Sequence, residues 1–181
     1  MNYFKKIKKI KESGHIKDEL LVRQMNIIYN AFLGEQIDTN KTRAMIDKQS
    51  QISQTFNKFR PVVGTDTLTD NQIEATLRNS TDNKLLEESW NASKKSGAVV
   101  AEQVIELVKM RNEAAKELGF KNYHEMSLSL SEQDPEQIEK LFNELDSLTR
   151  DAFAQLKNEM DEYFAKRYKV KKEELMPWHY Q

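Results

Sequence analysis

The chain has 181 residues, enough for one sizeable domain or for part of a larger protein. Its 28 basic and 29 acidic side chains nearly cancel, so no overall charge attracts it to nucleic acid or to an anionic membrane. The absence of Cys excludes disulfides, thiol nucleophiles and Cys-type zinc sites, and it is typical of a reducing compartment. No apolar run approaches the roughly 20 residues of a membrane span. We therefore predict a cytoplasmic protein that contacts neither nucleic acid nor membrane.

The composition is typical of an all-α protein. Only three Pro and five Gly occur in a sequence rich in Lys, Glu, Leu, Asn and Gln. We predict a multi-helix array with long helices, which forms a single helical region over residues 1–181. Residues 62–68 are the one strand-like stretch, because β-branched side chains flank a Gly and an Asp there. This stretch predicts one small β-hairpin.

The first part of the chain predicts three helices. Residues 3–12 form a short basic segment with an apolar side, which could contact a membrane or RNA but at ten residues favours packing on a neighbouring helix. That apolar side consists of Tyr3, Phe4, Ile7 and Ile10. A second helix covers residues 17–33 with Gly34 as its stop, and a third covers 38–59 with Asp38 as its N-cap.

The middle of the chain carries clear signals for where helices begin and end. Thr69 and Gln72 form a capping box that begins a short helix, and the next helix starts at residue 81 or 82. Gly97 is either a break or only a weak point in one long helix. Residues 98–118 carry apolar side chains on more than one face, so we expect both sides of this helix to be buried. Gly119 is placed as its C-terminal glycine.

Two further helix starts follow. Asn122 is an N-cap with Glu125 three residues later, and Asp134 caps a helix that has Pro135 in its first position. Apolar residues then recur at helical spacing to about residue 168, which gives a helix of about 50 Å at 1.5 Å per residue. A helix of this length requires either a coiled-coil-like neighbour or the rest of a larger protein.

The sequence offers little catalytic material. His124 and Glu125 begin like the zinc motif H-E-x-x-H, but Leu128 occupies the position of the second His, so the motif is not formed. The helix start at Asn122 explains both residues. The three His are far apart in sequence, and the chain has no Gly-rich phosphate loop and no nucleophile elbow. We predict no catalytic residue and no metal ligand in this chain.

Trp178, His179 and Tyr180 are the one group of neighbours that could meet a ligand. They are interpreted either as a contribution to a substrate cleft or as an aromatic anchor for a hinge. A chain terminus is usually polar and frayed. We expect these large side chains to have nothing after them to cover them, and therefore expect the sequence to stop inside a domain.

A family resemblance rests on four segments. These are FNKFRPVVGTDTLTDNQI, LVKMRNEAAKELGFKNYHEM, LFNELDSLTRDAFAQLKNEMDEYFAKRY and ELMPWHYQ. The chain resembles the N-terminal half of bacterial zinc peptidases related to angiotensin-converting enzyme (peptidyl-dipeptidase A), from about Lys9 to Gln181. The oligoendopeptidase F group is the nearest competitor. The most specific pieces are LVKMRNEAAKELGF and PWHYQ.

The resemblance implies a fragment of a larger helical peptidase fold, with this chain as one wall and the lid of a deep peptide-binding cleft. In that family two His of H-E-x-x-H and a later Glu hold zinc, and the motif Glu activates a metal-bound water. That motif follows the PWHY region, and the chain opens one or two helices into the family pattern. No metal ligand or catalytic residue can therefore be carried over onto a position here.

We expect a non-catalytic N-terminal portion of a zinc-dependent peptidase that hydrolyses short peptides. Its zinc and catalytic residues would lie in the rest of the protein, so whether this chain is itself an enzyme stays open. Its partners would be the peptide substrate and the catalytic part. The alternative is a free-standing helical protein- or peptide-interaction module without enzymatic activity.

Overall fold

Residues 3–181, which the computed structural model describes, form seven α-helices, one two-stranded hairpin and two short 3₁₀ turns. The elements are α1 (Tyr3–Glu12), α2 (Glu19–Gly34), α3 (Thr39–Lys58), β1 (Val62–Val63), β2 (Asp66–Thr67), α4 (Asp70–Asn79), α5 (Asn83–Glu117), α6 (Tyr123–Leu130), α7 (Pro135–Tyr168) and the 3₁₀ turns Lys172–Glu174 and Pro177–Tyr180. The all-α prediction is confirmed. The predicted hairpin is also present, as an antiparallel pair with Val62 opposite Thr67.

The predicted N-caps hold the helix starts in place. Each cap side chain accepts a hydrogen bond from a backbone amide two or three residues later, which satisfies a donor that has no partner inside the helix. The cap and amide pairs are Asp38 with Asn40, Thr69 with Gln72, Asn122 with Glu125, and Asp134 with Gln137. Thr69 and Gln72 form the complete reciprocal capping box that the sequence predicts.

Three glycines behave differently from one another. Gly119 has φ 91°, and the amide of Phe120 donates to the carbonyl of Ala115, so Gly119 is the left-handed residue of a Schellman motif as predicted. Gly97 lies inside α5, so it is no break. Gly34 is the last residue of α2, and a Cβ there would lie 3.3 Å from Cδ1 of Leu130. Its small size therefore suits close packing against α6.

The described residues group into two compact units. Unit 1 contains residues 3–49 and 105–143, and unit 2 contains residues 50–104 and 144–181. The division falls within α3, α5 and α7. The single helical region over residues 1–181 stays a prediction, and residues 1–2 lie outside the described part.

In unit 1, α1 packs on α2, as expected for its short amphipathic face. The rings of Phe4 and Tyr29 lie 5.6 Å apart between centroids, and Nζ of Lys11 lies 4.1 Å from the centre of the Tyr29 ring. On its other neighbour, α2 donates from Nδ2 of Asn30 to the carbonyl of Ser129 in α6. Buried side chains in this unit are Leu107, Ala114, Ala115 and Met126.

In unit 2, a small core joins α4, the start of α5 and the end of α7. The cluster consists of Ile73, Leu77, Leu86, Tyr168 and Trp178, with Val63, Leu68, Trp90, Phe164 and Val170 packed against it. Trp90 is partly buried at the edge of this cluster, with its indole against Trp178. Val63 of the hairpin packs against the same cluster.

Long stretches of apolar helix surface are uncovered. The expectation that both sides of residues 98–118 are buried is wrong, because Leu107 is 5% exposed while Val104 and Val108 are 40% and 48% exposed. A single helix presents apolar side chains around its axis, but a neighbour covers only the face that it contacts. Within unit 2, α7 likewise exposes Leu145, Leu148, Phe153, Leu156, Met160 and Tyr163.

None of the helices within residues 3–181 combines the length and the hydropathy needed to cross a bilayer. The cytoplasmic location stays a prediction.

Candidate functional site

The C-terminal turn, Pro177–Tyr180, is held inside unit 2. Trp178 is 7% exposed and His179 is 2% exposed. The expectation that nothing would cover these side chains is therefore wrong. They are covered by earlier parts of the chain, because the turn folds back onto α5 and α7. Ring centroids lie 6.0 Å apart for Trp90 and Trp178, 4.8 Å for Tyr168 and His179, and 5.3 Å for Phe164 and Tyr180.

His179 is fully hydrogen-bonded within the chain. Its Nδ1 accepts from the amide of Met176 at 2.8 Å, so the hydrogen-bond network assigns the ring proton to Nε2. Nε2 lies 3.3 Å from Oδ1 of Asn83, and Nδ2 of Asn83 donates to the carbonyl of Tyr168 at 3.1 Å. Burial lowers the pKa of His179 below its ordinary value of 6.5. The imidazole is therefore neutral near pH 7, with both nitrogens engaged.

Tyr180 is fastened to α7 by two charged residues. Its hydroxyl donates to Oδ1 of Asp161 at 2.6 Å and accepts from Nζ of Lys157 at 3.0 Å. Lys157 also pairs with Asp161 and lies 4.6 Å from the centre of the Tyr180 ring. Hydrogen bonds from Lys157 and then from Tyr180 lower the pKa of Asp161, and the same contacts raise the pKa of Lys157. This triad fixes the hydroxyl end of the turn.

The C-terminal turn does not fit a zinc site. A histidine ligand needs a free ring nitrogen, and both nitrogens of His179 are already bonded. His15 and His124 are exposed and lie in unit 1. No group of three His, Asp or Glu side chains suited to a metal ion occurs between residues 3 and 181. The contacts of this turn hold the neighbouring helix ends in place. Its contribution to a substrate cleft through Trp178, His179 and Tyr180 stays a prediction.

Unit 1 contains a groove that sequence reasoning missed. Its volume is about 680 Å³, and the end of α2, the first half of α3, α6 and Arg111 of α5 line it. We call it the Arg111 groove. Arg111 donates from Nη2 to Oε1 of Gln49 at 2.7 Å, and its Cζ lies 5.2 Å from the centre of the Tyr123 ring. No local pattern in the sequence marks this groove, because Arg111 is one of several charged and polar residues in this part of α5.

Comparison with known protein families shows which family the chain belongs to. The family model described as angiotensin-converting enzyme, peptidase family M2, matches residues 1–180. The chain belongs to the angiotensin-converting enzyme family. Membership in this family of metallopeptidases confirms the resemblance found in the sequence, and the oligoendopeptidase F alternative is not supported. No curated protein and no solved structure matches the chain.

The family match also bears on the residues that carried the resemblance. In this member of the angiotensin-converting enzyme family, the run LVKMRNEAAKELGF forms the end of α5 and its Schellman stop, and PWHYQ forms the C-terminal turn. The first piece ends α5, and the second holds the end of α7 through its ring contacts and hydrogen bonds. Family membership assigns the chain to a group of hydrolases without assigning a catalytic residue within it.

Proposed function

We propose that this chain is the non-catalytic N-terminal helical portion of a zinc-dependent peptidase that hydrolyses short peptides. The observation that carries the proposal is the family match over residues 1–180. In such a peptidase a zinc ion held by residues elsewhere in the protein would supply Lewis-acid activation of the scissile carbonyl and of water. The residues of this chain shape and cover the substrate cleft.

We place the zinc ligands in another part of the same protein. Residues 3–181 contain no suitable group of three ligands, and His179 is committed to Met176 and Asn83. Using His179 for a metal would break a buried hydrogen bond and leave the Met176 amide or the Asn83 side chain without its partner, which costs free energy. This assignment keeps the family's chemistry and the bonding of the C-terminal turn consistent.

The uncovered face of α7 supports the proposal that this chain is a cleft wall and that another surface packs against it. Six apolar side chains between Leu145 and Tyr163 project from one side of the helix at spacings of three to five residues, and Leu148 and Phe153 are 75% and 68% exposed. Exposed apolar surface of this extent is typical of an interaction site. We propose that the catalytic part covers this face and that long helices restrict the cleft to short, unfolded peptides.

In this proposal the C-terminal turn contributes to the cleft by holding the end of α7. Trp178 and His179 pack inside unit 2, while Tyr180 keeps its ring half-buried beside Lys157 and Asp161. Tyr180 is the member of the trio that a peptide could reach without unfolding the turn. The triad then presents a fixed hydroxyl rather than a mobile one.

The coding sequence downstream of Gln181 tests the proposal. We expect an H-E-x-x-H motif there, followed by a Glu in a later helix. A stop codon directly after Gln181 in the source genome would contradict the proposal. The chain would then be better explained as a helical interaction module that binds a partner helix on the exposed face of α7.

A further inference from the structure

We propose that the Arg111 groove binds a small amphipathic carboxylate, meaning a single carboxylate joined to an apolar body. The groove lies wholly within unit 1, and the proposal does not depend on peptidase function. Its volume of about 680 Å³ is in the range of small-molecule sites.

The apolar wall of the groove has a floor and an open rim. Met126 forms the floor and is 4% exposed, while Tyr123 and Leu130 of the same helix are half-buried. Across from them, Ile46 of α3 lines the groove and is 60% exposed. An apolar ligand body placed here would remove Ile46 from water, and burial of apolar surface favours binding by about 25 cal/mol per Å².

Arg111 supplies a cation to the groove. None of the ion pairs between residues 3 and 181 includes Arg111. Its one hydrogen bond goes to the neutral amide of Gln49, although a guanidinium has five N–H donors. The side chain is half-buried on the face of Tyr123, where its orientation is constrained. A carboxylate is the group that a guanidinium binds with two parallel hydrogen bonds.

Two carboxylates on α5 near Arg111 pair with lysines of α3. Glu106 pairs with Lys48, which lowers the pKa of Glu106, and Glu117 pairs with Lys41. Glu35 is the one carboxylate among the lining residues, and it is exposed and forms no ion pair with Arg111. Its negative charge opposes an anionic ligand, and it opposes one with two carboxylates more strongly than one with a single carboxylate.

The polar side of the groove adds a second donor. Thr42 of α3 is half-buried in the lining, and its hydroxyl has no hydrogen-bond partner among residues 3–181. The hydroxyl of Ser127, by contrast, already donates to the carbonyl of Tyr123 at 2.8 Å. A carboxylate only accepts hydrogen bonds, so Arg111 and Thr42 match its requirements.

The test is calorimetric titration of the full chain with hexanoate, hexanamide and acetate. Hexanamide keeps the apolar body and removes the charge, and acetate keeps the charge and removes most of the body. We expect hexanoate to bind more tightly than either. Equal affinities for hexanoate and hexanamide, or no hexanoate binding at millimolar concentrations, would overturn the proposal.

Two variants locate the site. Arg111→Gln is expected to weaken hexanoate binding about tenfold to a hundredfold, the effect of losing a charge-assisted hydrogen bond. Arg43→Gln is the matched control, because Arg43 lies on α3, is exposed and does not line the groove. It removes the same charge from unit 1 and is expected to leave the affinity unchanged. Equal weakening by both variants would show a nonspecific charge effect and contradict the site.

A third variant keeps the proposal testable if the Arg111→Gln protein does not fold. Ile46→Asn changes an exposed side chain and should leave the helix content intact by circular dichroism. It removes apolar contact with the ligand body, so hexanoate should bind several-fold more weakly while acetate binding should not change. Unchanged hexanoate affinity in a folded Ile46→Asn protein would place any binding outside this groove.

Discussion

Nε2 of His179 lies 3.3 Å from Oδ1 of Asn83, so the C-terminal turn is hydrogen-bonded to the first residue of α5 across 96 positions of sequence. Asn83 passes this connection to the carbonyl of Tyr168, the last residue of α7. Two helix ends and the turn therefore meet at one half-buried amide side chain. The hydrogen bond from the Met176 amide requires a neutral His179, because Nδ1 accepts it.

This relationship predicts a pH dependence of stability. The lowered pKa of His179 means that the unfolded chain binds more protons than the folded chain just below pH 6.5. The contribution of His179 is fully present above pH 6.5, decreases as the pH falls, and levels off below the lowered folded-state pKa. Urea unfolding at several pH values between about 5 and 8 measures the effect.

Two variants assign that pH dependence. His179→Gln should lose the part of the slope that lies just below pH 6.5. His124→Gln, on the exposed surface of α6, should keep the wild-type slope. If both variants keep the full slope, His179 is not the group responsible.

A matched pair of leucines tests the location of the unit 2 core. Leu86 is 0% exposed and Leu148 is 75% exposed. Leu86→Ala is expected to lower the free energy of unfolding by about 2–5 kcal/mol, because it removes buried methyl groups and leaves a cavity. Leu148→Ala should change it by no more than about 0.5 kcal/mol. Chemical denaturation of the three proteins checks this, and similar losses in both variants would show that α7 buries Leu148 in solution.

Lys169 offers a stabilising substitution. It has φ 57°, and the amide of Val170 donates to the carbonyl of Ala165, so Lys169 occupies the left-handed position that ends α7. A residue with a Cβ is strained there, and Lys169→Gly should raise the free energy of unfolding by about 1 kcal/mol. Lys166→Gly, inside α7, should lower it by about 1 kcal/mol. Thermal and urea unfolding give both signs, and a loss on Lys169→Gly would argue against the left-handed end.

The exposed face of α7 predicts association or dye binding by the isolated chain. Apolar surface that is uncovered in one chain binds hydrophobic dyes and favours self-association. Replacing both Leu148 and Phe153 with Gln should reduce dye fluorescence and shift any dimer toward monomer, with little loss of helix content. Sedimentation and dye titration measure these changes. An unchanged dye signal in the double variant would show that the dye binds a different surface.

Zinc removal gives a direct test of the placement of the metal ligands. Because residues 3–181 hold no suitable ligand group, a chelator should leave the melting temperature and helix content of this chain unchanged. Differential scanning calorimetry with and without chelator is sufficient. A chelator-dependent drop in melting temperature, reversed by added zinc, would contradict the placement.

Local features could be predicted because their causes act over a few residues. Asp38, Thr69, Asn122 and Asp134 cap helices through amides at most three positions away, and Gly119 ends α5 through bonds to the preceding turn. The hairpin was visible for the same reason. Gly97 shows the limit of such rules, since one glycine costs a helix only about 1 kcal/mol and its neighbours can outweigh it.

The candidate sites could not be predicted to the same depth. Trp178, His179 and Tyr180 were recognised as a group, but their burial depends on Asn83, Phe164 and Tyr168, which are distant in sequence. The Arg111 groove was missed altogether, because its lining comes from α2, α3, α5 and α6. No spacing within one segment signals a groove that residues of four helices line.

The sequence by itself determined the all-α class, the helix ends, the small hairpin and the resemblance that the family match confirms. These follow from backbone hydrogen bonding and from local side-chain patterns. Only the tertiary structure decided which apolar faces are covered, that His179 is neutral with both nitrogens engaged, and that Arg111 lines a groove and forms no ion pair within residues 3–181. The physical reason is that burial, hydrogen-bond partners and electrostatic neighbours depend on distances between side chains, and those distances exist only once segments far apart in the chain have packed together.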